Sequence, residues 1–295
     1  MTSDRTILIT GVTGKQGGAV ARALEGRGFR LRGLTRKPDS ERAVALARHV
    51  DIVKGDLDDE ATLRRALAGA WGVFGVQNAG ETSVEQEEAQ GKRLATLARE
   101  AGVEHYVYTS VGSADKQTGV PHFDNKWRIE ETVRSLRFPS HVILRPVFFM
   151  ENLVAPFSLQ DSTLAWALGA GTKLQMIAVD DIGWFGARAF THATALNRRE
   201  IDLAGDVRTM PEAAEILTKT LGRPITFVQA PIEPVRQYSK EMALMLEWFD
   251  RVGYSADIAG LEREFDRPLM KLPDWARRHG PERVPPTRQT QGELT

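Results

Sequence analysis

Ile7-Leu8-Ile9-Thr10-Gly11-Val12-Thr13-Gly14-Lys15-Gln16-Gly17-Gly18 is the stretch on which the reading of this chain turns. An apolar run ends in a threonine, three glycines follow at a spacing of three, and Ala19-Val20-Ala21-Arg22-Ala23-Leu24 then opens a helical pattern. This is the signature of a strand, a tight turn and a helix start. A helix N-terminus carries unpaired N–H groups and partial positive charge, which suits a phosphate. Glycines let the backbone turn sharply and come close to it. The same pattern also fits any glycine-rich strand-to-helix turn, so the surrounding chain has to discriminate.

Working outward, strands and helices alternate through the first 150 residues. Strands are expected at about Thr6 to Thr10, Arg30 to Thr35, Val50 to Lys54, Gly72 to Val76, Glu104 to Thr109 and His141 to Leu144. Helices fall between them: about Gln16 to Arg27 closed by Gly28, Ser40 to Ala47 with Ser40 as N-cap, from Asp58 or Asp59 to Leu67, Ser83 to Glu100, and Phe123 to Arg137. Such alternation predicts an α/β fold, a doubly wound parallel sheet with helices on both faces. After Pro146 the pattern loosens. The expected division is residues 1–150 as a dinucleotide-binding domain and 151–284 as a smaller mixed C-terminal subdomain over the carboxyl edge of the sheet. Residues 285–295 form a polar tail that is expected to be disordered. Asp180-Asp181 read as the cap of a helix from about Ile182 to Thr194.

The totals exclude several classes. Of 295 residues, 42% are hydrophobic, enough for a sizeable core and against general disorder. Lys+Arg and Asp+Glu are 39 each, so no electrostatic footprint for nucleic acid or an acidic membrane shows in the totals. There is no cysteine, which removes disulfides, thiolate metal sites and thiol catalysis. No signal-like h-region precedes the first strand, and no apolar run reaches membrane-spanning length. A soluble, cytoplasmic protein without a metal site is expected, as a monomer or a homodimer. The Ser83–Glu100 helix suits either a dimer face or packing on the sheet.

A carboxylate about 20 residues after the glycine loop would bind the ribose 2′-hydroxyl of NAD. Here the second strand ends Leu34-Thr35-Arg36-Lys37, and the first carboxylate is Asp39. A guanidinium at Arg36 matches a 2′-phosphate with paired hydrogen bonds. The expected cofactor is therefore NADP (NADPH).

With these segments in view, the chain resembles the NmrA-like branch of the short-chain dehydrogenase/reductase superfamily. The matching segments are Thr10 to Gly18, Leu34 to Pro38, Gly55-Asp56-Leu57-Asp58-Asp59, Gln86-Glu87 with Gln90-Gly91-Lys92, His122-Phe123-Asp124-Asn125-Lys126, and Phe149-Met150-Glu151-Asn152. The resemblance implies a Rossmann domain that binds NADP. It implies that Gly11, Thr13, Gly14, Lys15, Gln16 and Gly17 hold the pyrophosphate and Arg36 the 2′-phosphate. Asp56 and Leu57 would border the adenine, Gln77 and Asn78 the nicotinamide, and Lys126 would reach the nicotinamide ribose. The segment from Phe149 to Asn152 would close over that end.

Reductases of the superfamily use a Tyr-x-x-x-Lys pair, in which the ammonium lowers the phenol's pKa. The four tyrosines here, Tyr106, Tyr108, Tyr238 and Tyr254, are followed four residues later by Ser110, Gly112, Met242 and Ile258. At the expected place stands His122-x-x-x-Lys126, with Ser110 twelve residues before it, about where the superfamily has its catalytic serine. Two readings stay open. In one, His122, Lys126 and Ser110 serve a reductase of an apolar or aromatic acceptor such as a quinone, imine or carbonyl. Phe148, Phe149, Phe157 and Trp166 would line its pocket unless they are core. In the other, the site binds NADPH without turnover and reports the NADPH/NADP ratio to a regulatory protein partner, as some relatives do. Direct nucleic-acid binding has no basic stripe to support it.

Overall fold

The computed structural model describes residues 5–77 and 83–283. The apolar run forms β1 (Thr6–Ile9), buried from Ile7 onward, and α1 (Lys15–Leu24) opens directly after the glycine turn. The alternation continues through β2 (Arg30–Thr35), α2 (Glu41–Leu46), β3 (Asp51–Lys54), α3 (Glu60–Leu67), β4 (Ala70–Gly75) and α4 (Val84–Glu100). It closes with β5 (His105–Thr109), α5 (Pro121–Ser135) and β6 (Ser140–Pro146). The Ser40 hydroxyl accepts the Ala43 N–H, and the Asp59 carboxylate accepts the Thr62 N–H, so both cap as their residue types demand. Helix α1 is shorter than expected. It ends at Leu24 because Gly26, at φ 70°, already turns the chain into the left-handed region.

The second half adds β7 (Phe148–Phe149), a 3-10 turn over Met150–Asn152, β8 (Leu159–Gln160), β9 (Thr163–Trp166), β10 (Leu174–Ile177) and α6 (Val179–Thr191). It continues with β11 (Arg199–Leu203), β12 (Asp206–Arg208), α7 (Met210–Leu221), β13 (Thr226–Gln229) and α8 (Ile232–Tyr238). Helices α9 (Lys240–Arg251), α10 (Ile258–Glu264) and α11 (Leu272–Arg283) follow. Seven parallel strands form the main sheet in the order β3-β2-β1-β4-β5-β6-β11. The order reverses between β1 and β4, and a crevice for ligand opens at such a switch point, outside the carboxyl ends of the strands. Two small sheets, β12-β10-β7 and β13-β9-β8, belong to the second half.

The chain returns to the main sheet twice after residue 150. Strand β11 pairs with β6, Ile201 opposite Leu144. Helix α6 lies against α1 at glycine contacts: a Cβ on Gly183 would stand 2.7 Å from the Ala19 carbonyl oxygen, and one on Gly186 2.5 Å from a Val20 methyl. On the other face, α4 buries Leu94, Ala95, Leu97 and Ala98, and its Gly91 lies under Ile129 of α5. That face of α4 is thus used within the chain. A separate core under the second half gathers Phe148, Trp166, Trp248 and Trp275.

The acidic pair Asp180-Asp181 is not the cap of α6. Ala178 holds the cap position, and the helix starts at Val179. Asp181 is instead 1% exposed and accepts the Met270 N–H at 2.8 Å and an Arg267 N–H at 3.2 Å, anchoring the segment that leads into α11. The tail from 285 lies outside the described residues.

Candidate functional site

The crevice begins at Thr10. Its hydroxyl accepts the Val76 N–H at 2.8 Å and contacts the Val76 carbonyl at 3.0 Å, pinning the end of β1 to the end of β4. Gly11 then takes φ 57°, and a Cβ there would meet a Val76 methyl at 2.8 Å. The Gly14 N–H closes the turn on the Gly11 carbonyl at 2.8 Å. A Cβ on Gly17 would stand 2.4 Å from that same oxygen, which only glycine avoids. No side chain caps α1 and its first turn holds no acid, so its leading N–H groups face the exposed loop of Gly11, half-buried Thr13, and Gly14. Lys15 and Gln16 reach outward from this turn. The Lys15 ammonium donates to Asn152 Oδ1 at 3.0 Å, and Gln16 Oε1 accepts from the Thr109 hydroxyl at 2.6 Å.

Arg36 is exposed just beyond the carboxyl end of β2. Beside it, at the end of β3, Asp56 accepts the Asp58 N–H at 3.0 Å, and Leu57 packs on the core. Asp58 is a hub held by α4: Gln86 and Gln90 donate to it at 2.6 and 2.7 Å, and Arg93 at 3.1 Å. Burial would raise the Asp58 carboxyl, but these hydrogen bonds outweigh it and hold the group below its usual range.

At the other end, Lys126 lies 7% exposed on the inner face of α5. Its Nζ is 2.8 Å from Glu87 Oε1, donates to the Gln77 carbonyl at 3.2 Å, and stands 5.7 Å from the centre of the Tyr108 ring. Glu87 is 1% exposed, and its second oxygen accepts from Asn125 Nδ2 at 3.0 Å. Burial would raise the Glu87 carboxyl. The Lys126 charge, with the hydrogen bonds from Lys126 and Asn125, overrides that and keeps it below the usual range. The Gln77 amide and the Ser110 hydroxyl are buried with no hydrogen-bond partner among the described residues. Buried polar groups normally find partners, so these two carry unspent capacity at the carboxyl ends of β4 and β5. Asn78 lies outside the described residues.

His122 does not join this cluster by hydrogen bonding. Its Nδ1 sits 2.6 Å from Glu241 Oε1 of α9, at ion-pair distance but without the alignment of an N–H donor bond. Tyr106, Tyr108 and Tyr254 are kept protonated by burial, with Glu87 and Glu130 adding to the effect at Tyr108. None of the three is primed as an acid.

The closing segment is tied down from both sides. Phe149 is half-buried, and Asn152 meets Lys15. Between them, buried Glu151 accepts the Val179 N–H at 3.2 Å and the Trp275 indole N–H at 2.9 Å. Phe148 and Trp166 are core residues packed edge to face at 5.2 Å, not pocket walls, while Phe157 remains 65% exposed. A hollow of about 360 Å³, which includes Ser113, Thr118, Trp248 and Arg251, opens three residues beyond Ser110. Another of about 370 Å³ lies at the amino ends of β1, β2 and β3, away from the site.

In the sequence, Glu87 reads as an acid suited to the dipole of its helix and Asn125 as part of a motif, and neither reads as a site residue. The signal was present. Glu87 shares a helix face with Gln90, Gly91 and Leu94, all buried, and a carboxylate on a buried face must have a partner. Among the described residues, no group of three or more His, Asp or Glu could hold a metal ion, and no helix is long and apolar enough to cross a membrane.

Known proteins share this fold. A (4-alkanoyl-5-oxo-2,5-dihydrofuran-3-yl)methyl phosphate reductase of Streptomyces griseus is 29% identical over 286 residues, covering 92% of this chain and 97% of its own. The Escherichia coli NADPH-dependent quinone oxidoreductase, solved with NADPH, superimposes with a TM-score of 0.75 at 25% identity, over 92% of this chain and 99% of that one. A double mutant of NmrA has the same fold, with a TM-score of 0.78 at 19% identity over 95% and 96% of the two chains. Residues 3–278 match the NmrA-like family as a whole. This chain therefore belongs to the NmrA-like family.

Proposed function

We propose that the protein is an NADPH-dependent reductase of an apolar or aromatic acceptor: a quinone, an imine or a carbonyl compound. The observation that carries this reading is the buried Lys126 ammonium at the end of β4, with the Gln77 and Ser110 side chains, unpartnered among the described residues, at the ends of β4 and β5. The residues fit the cofactor. Gly11, Thr13, Gly14, Lys15, Gln16 and Gly17 form a turn whose close contacts exclude side chains at the key glycines. Arg36 offers a guanidinium to the 2′-phosphate, and Asp56 and Leu57 border the adenine. Gln77 and Asn78 meet the nicotinamide, Lys126 its ribose, and Phe149 and Asn152 close that end. Bound NADPH supplies the hydride. Ser110 orients the acceptor and His122 delivers a proton where one is needed. Quinones and imines ask less of such a donor than ketones do. The named activities of the Streptomyces and Escherichia coli relatives support a reductase.

The test is steady-state NADPH consumption over a panel of quinones, imines and carbonyls, with native, His122→Ala and Lys126→Ala chains. Turnover that falls in both variants is expected. No turnover with any acceptor, alongside tight NADPH binding, overturns the reductase.

That outcome would favour a second reading, in which the protein is a non-catalytic sensor of NADPH/NADP that signals to a protein partner. The contact between His122 of α5 and Glu241 of α9 supports it, because it links the lysine-bearing helix to the outer subdomain.

A further inference from the structure

We infer that Glu87 is the positioning residue for Lys126: its buried carboxylate, presented by α4, pairs with the ammonium and aims it at the carboxyl end of β4. This rests on the proposed role of Lys126 at the nicotinamide ribose. The geometry is that of a built pair. One Glu87 oxygen meets Nζ of Lys126 at 2.8 Å, and the other accepts from Asn125 at 3.0 Å, so the carboxylate cannot swing away without breaking both contacts. Asn125 also donates to the Val84 carbonyl at 2.7 Å, which ties α5 to the first turn of α4. An ammonium has three N–H groups. Among the described residues, Glu87 and the Gln77 carbonyl account for two, which leaves the third for a ligand hydroxyl.

The surrounding charges do not replace Glu87. On α4, Glu88 is engaged by Lys92 and Arg128, both at 2.6 Å. On α5, Glu130 is held by Arg145 at 2.7 Å and by Arg134. His122, also on α5, faces Glu241 of α9, and Asp124 lies beside Asn125 in sequence. From β5, Tyr108 presents a neutral ring. Among the described residues, Glu87 is the carboxylate in contact with the ammonium. A buried ammonium without such a partner gives up its proton readily, and a buried carboxylate without one takes a proton up.

The experiment uses the full chain and NADPH titration by fluorescence between about pH 6 and about pH 9. In Glu87→Gln, the ratio of variant to native affinity is expected to fall about tenfold across that range. In Glu87→Gln combined with Lys126→Met the fall disappears, which a merely structural role for Glu87 would not produce. Glu87→Asp, which keeps the charge, is expected to keep a level ratio. A level ratio in a folded Glu87→Gln chain overturns the inference. The reciprocal change leaves α4 untouched: in Lys126→Met the Glu87 carboxyl, followed by carbon NMR, titrates at least about one pH unit higher than in the native chain. No upward shift overturns the pairing. If Lys126→Met shifts Glu87 but leaves NADPH affinity unchanged, the ribose role of Lys126 fails while the pairing stands.

Discussion

At the glycine-turn end of the crevice, geometry is set by neighbours in sequence. A Cβ on Gly17 would stand 2.4 Å from the carbonyl oxygen of Gly11, six residues earlier. At the Lys126 end it is set by residues far apart. Lys126 rests on Glu87 and on the carbonyl of Gln77, 49 residues away, and His122 faces Glu241 of α9. The glycine-turn end is shaped by backbone sterics and by a first helical turn without an acidic residue. The Lys126 end is shaped by paired charges. The first is therefore broken by a single methyl group, the second by removing one charge, and only the second should respond to acid.

The largest expected effect is at the charged end. Glu87→Ala strands a buried ammonium and should cost about 3–5 kcal/mol of stability at neutral pH, measured by urea denaturation. The folded chain holds the Glu87 carboxyl below its ordinary value of 4.5. Its contribution is present above that value and is lost as pH falls through the lower folded one, so the gap between native and variant should narrow in acid. An equal gap at both pH values would erase the contrast between the two ends. Next comes Gly17→Ala. Its methyl must displace the Gly11 carbonyl, at a cost of about 3 kcal/mol, with loss of NADPH binding in calorimetry and no added pH dependence. A variant that still binds normally would show that the turn can open.

Arg36→Ala should weaken NADPH by about 2 kcal/mol, roughly thirtyfold, while leaving NADH affinity unchanged, because only the 2′-phosphate loses its partner. Equal losses for both cofactors would remove Arg36 from the cofactor's recognition. The smallest effect is expected at His122. Its side chain and that of Glu241 are 22% and 30% exposed, so His122→Gln should change stability by under about 1 kcal/mol. A larger loss in thermal unfolding would make the α5–α9 contact a structural clamp and sharpen the sensor reading.

Much of the fold is legible in the chain because it rests on local rules. The apolar run into Thr10, the helix caps at Ser40 and Asp59, and the alternation through Pro146 each state their structure within a few residues. Strand β11 is not legible in that way. Arg199-Glu200-Ile201-Asp202-Leu203 is an edge strand with three charges in five residues, and it reads as surface. Only in the folded chain does Glu200 meet Arg145 at 2.6 Å and Arg134 at 2.7 Å, which makes its place beside β6 tenable. Asp181 is similar. Beside Asp180 it looks like a cap, but its partners, Met270 and Arg267, come from more than 80 residues later. Phe148 and Trp166 show the converse case. Aromatic composition left pocket wall and core both open, and burial in the second core absorbed both.

By itself the sequence determined the glycine turn, the parallel sheet it feeds and the guanidinium at the end of β2, because sterics and periodicity act between near neighbours. It also determined that no tyrosine precedes Lys126 by four residues. Which charges face one another was decided by tertiary structure alone. Coulomb forces and desolvation depend on distance and burial, and the spacing of Glu87 and Lys126 along the chain states neither.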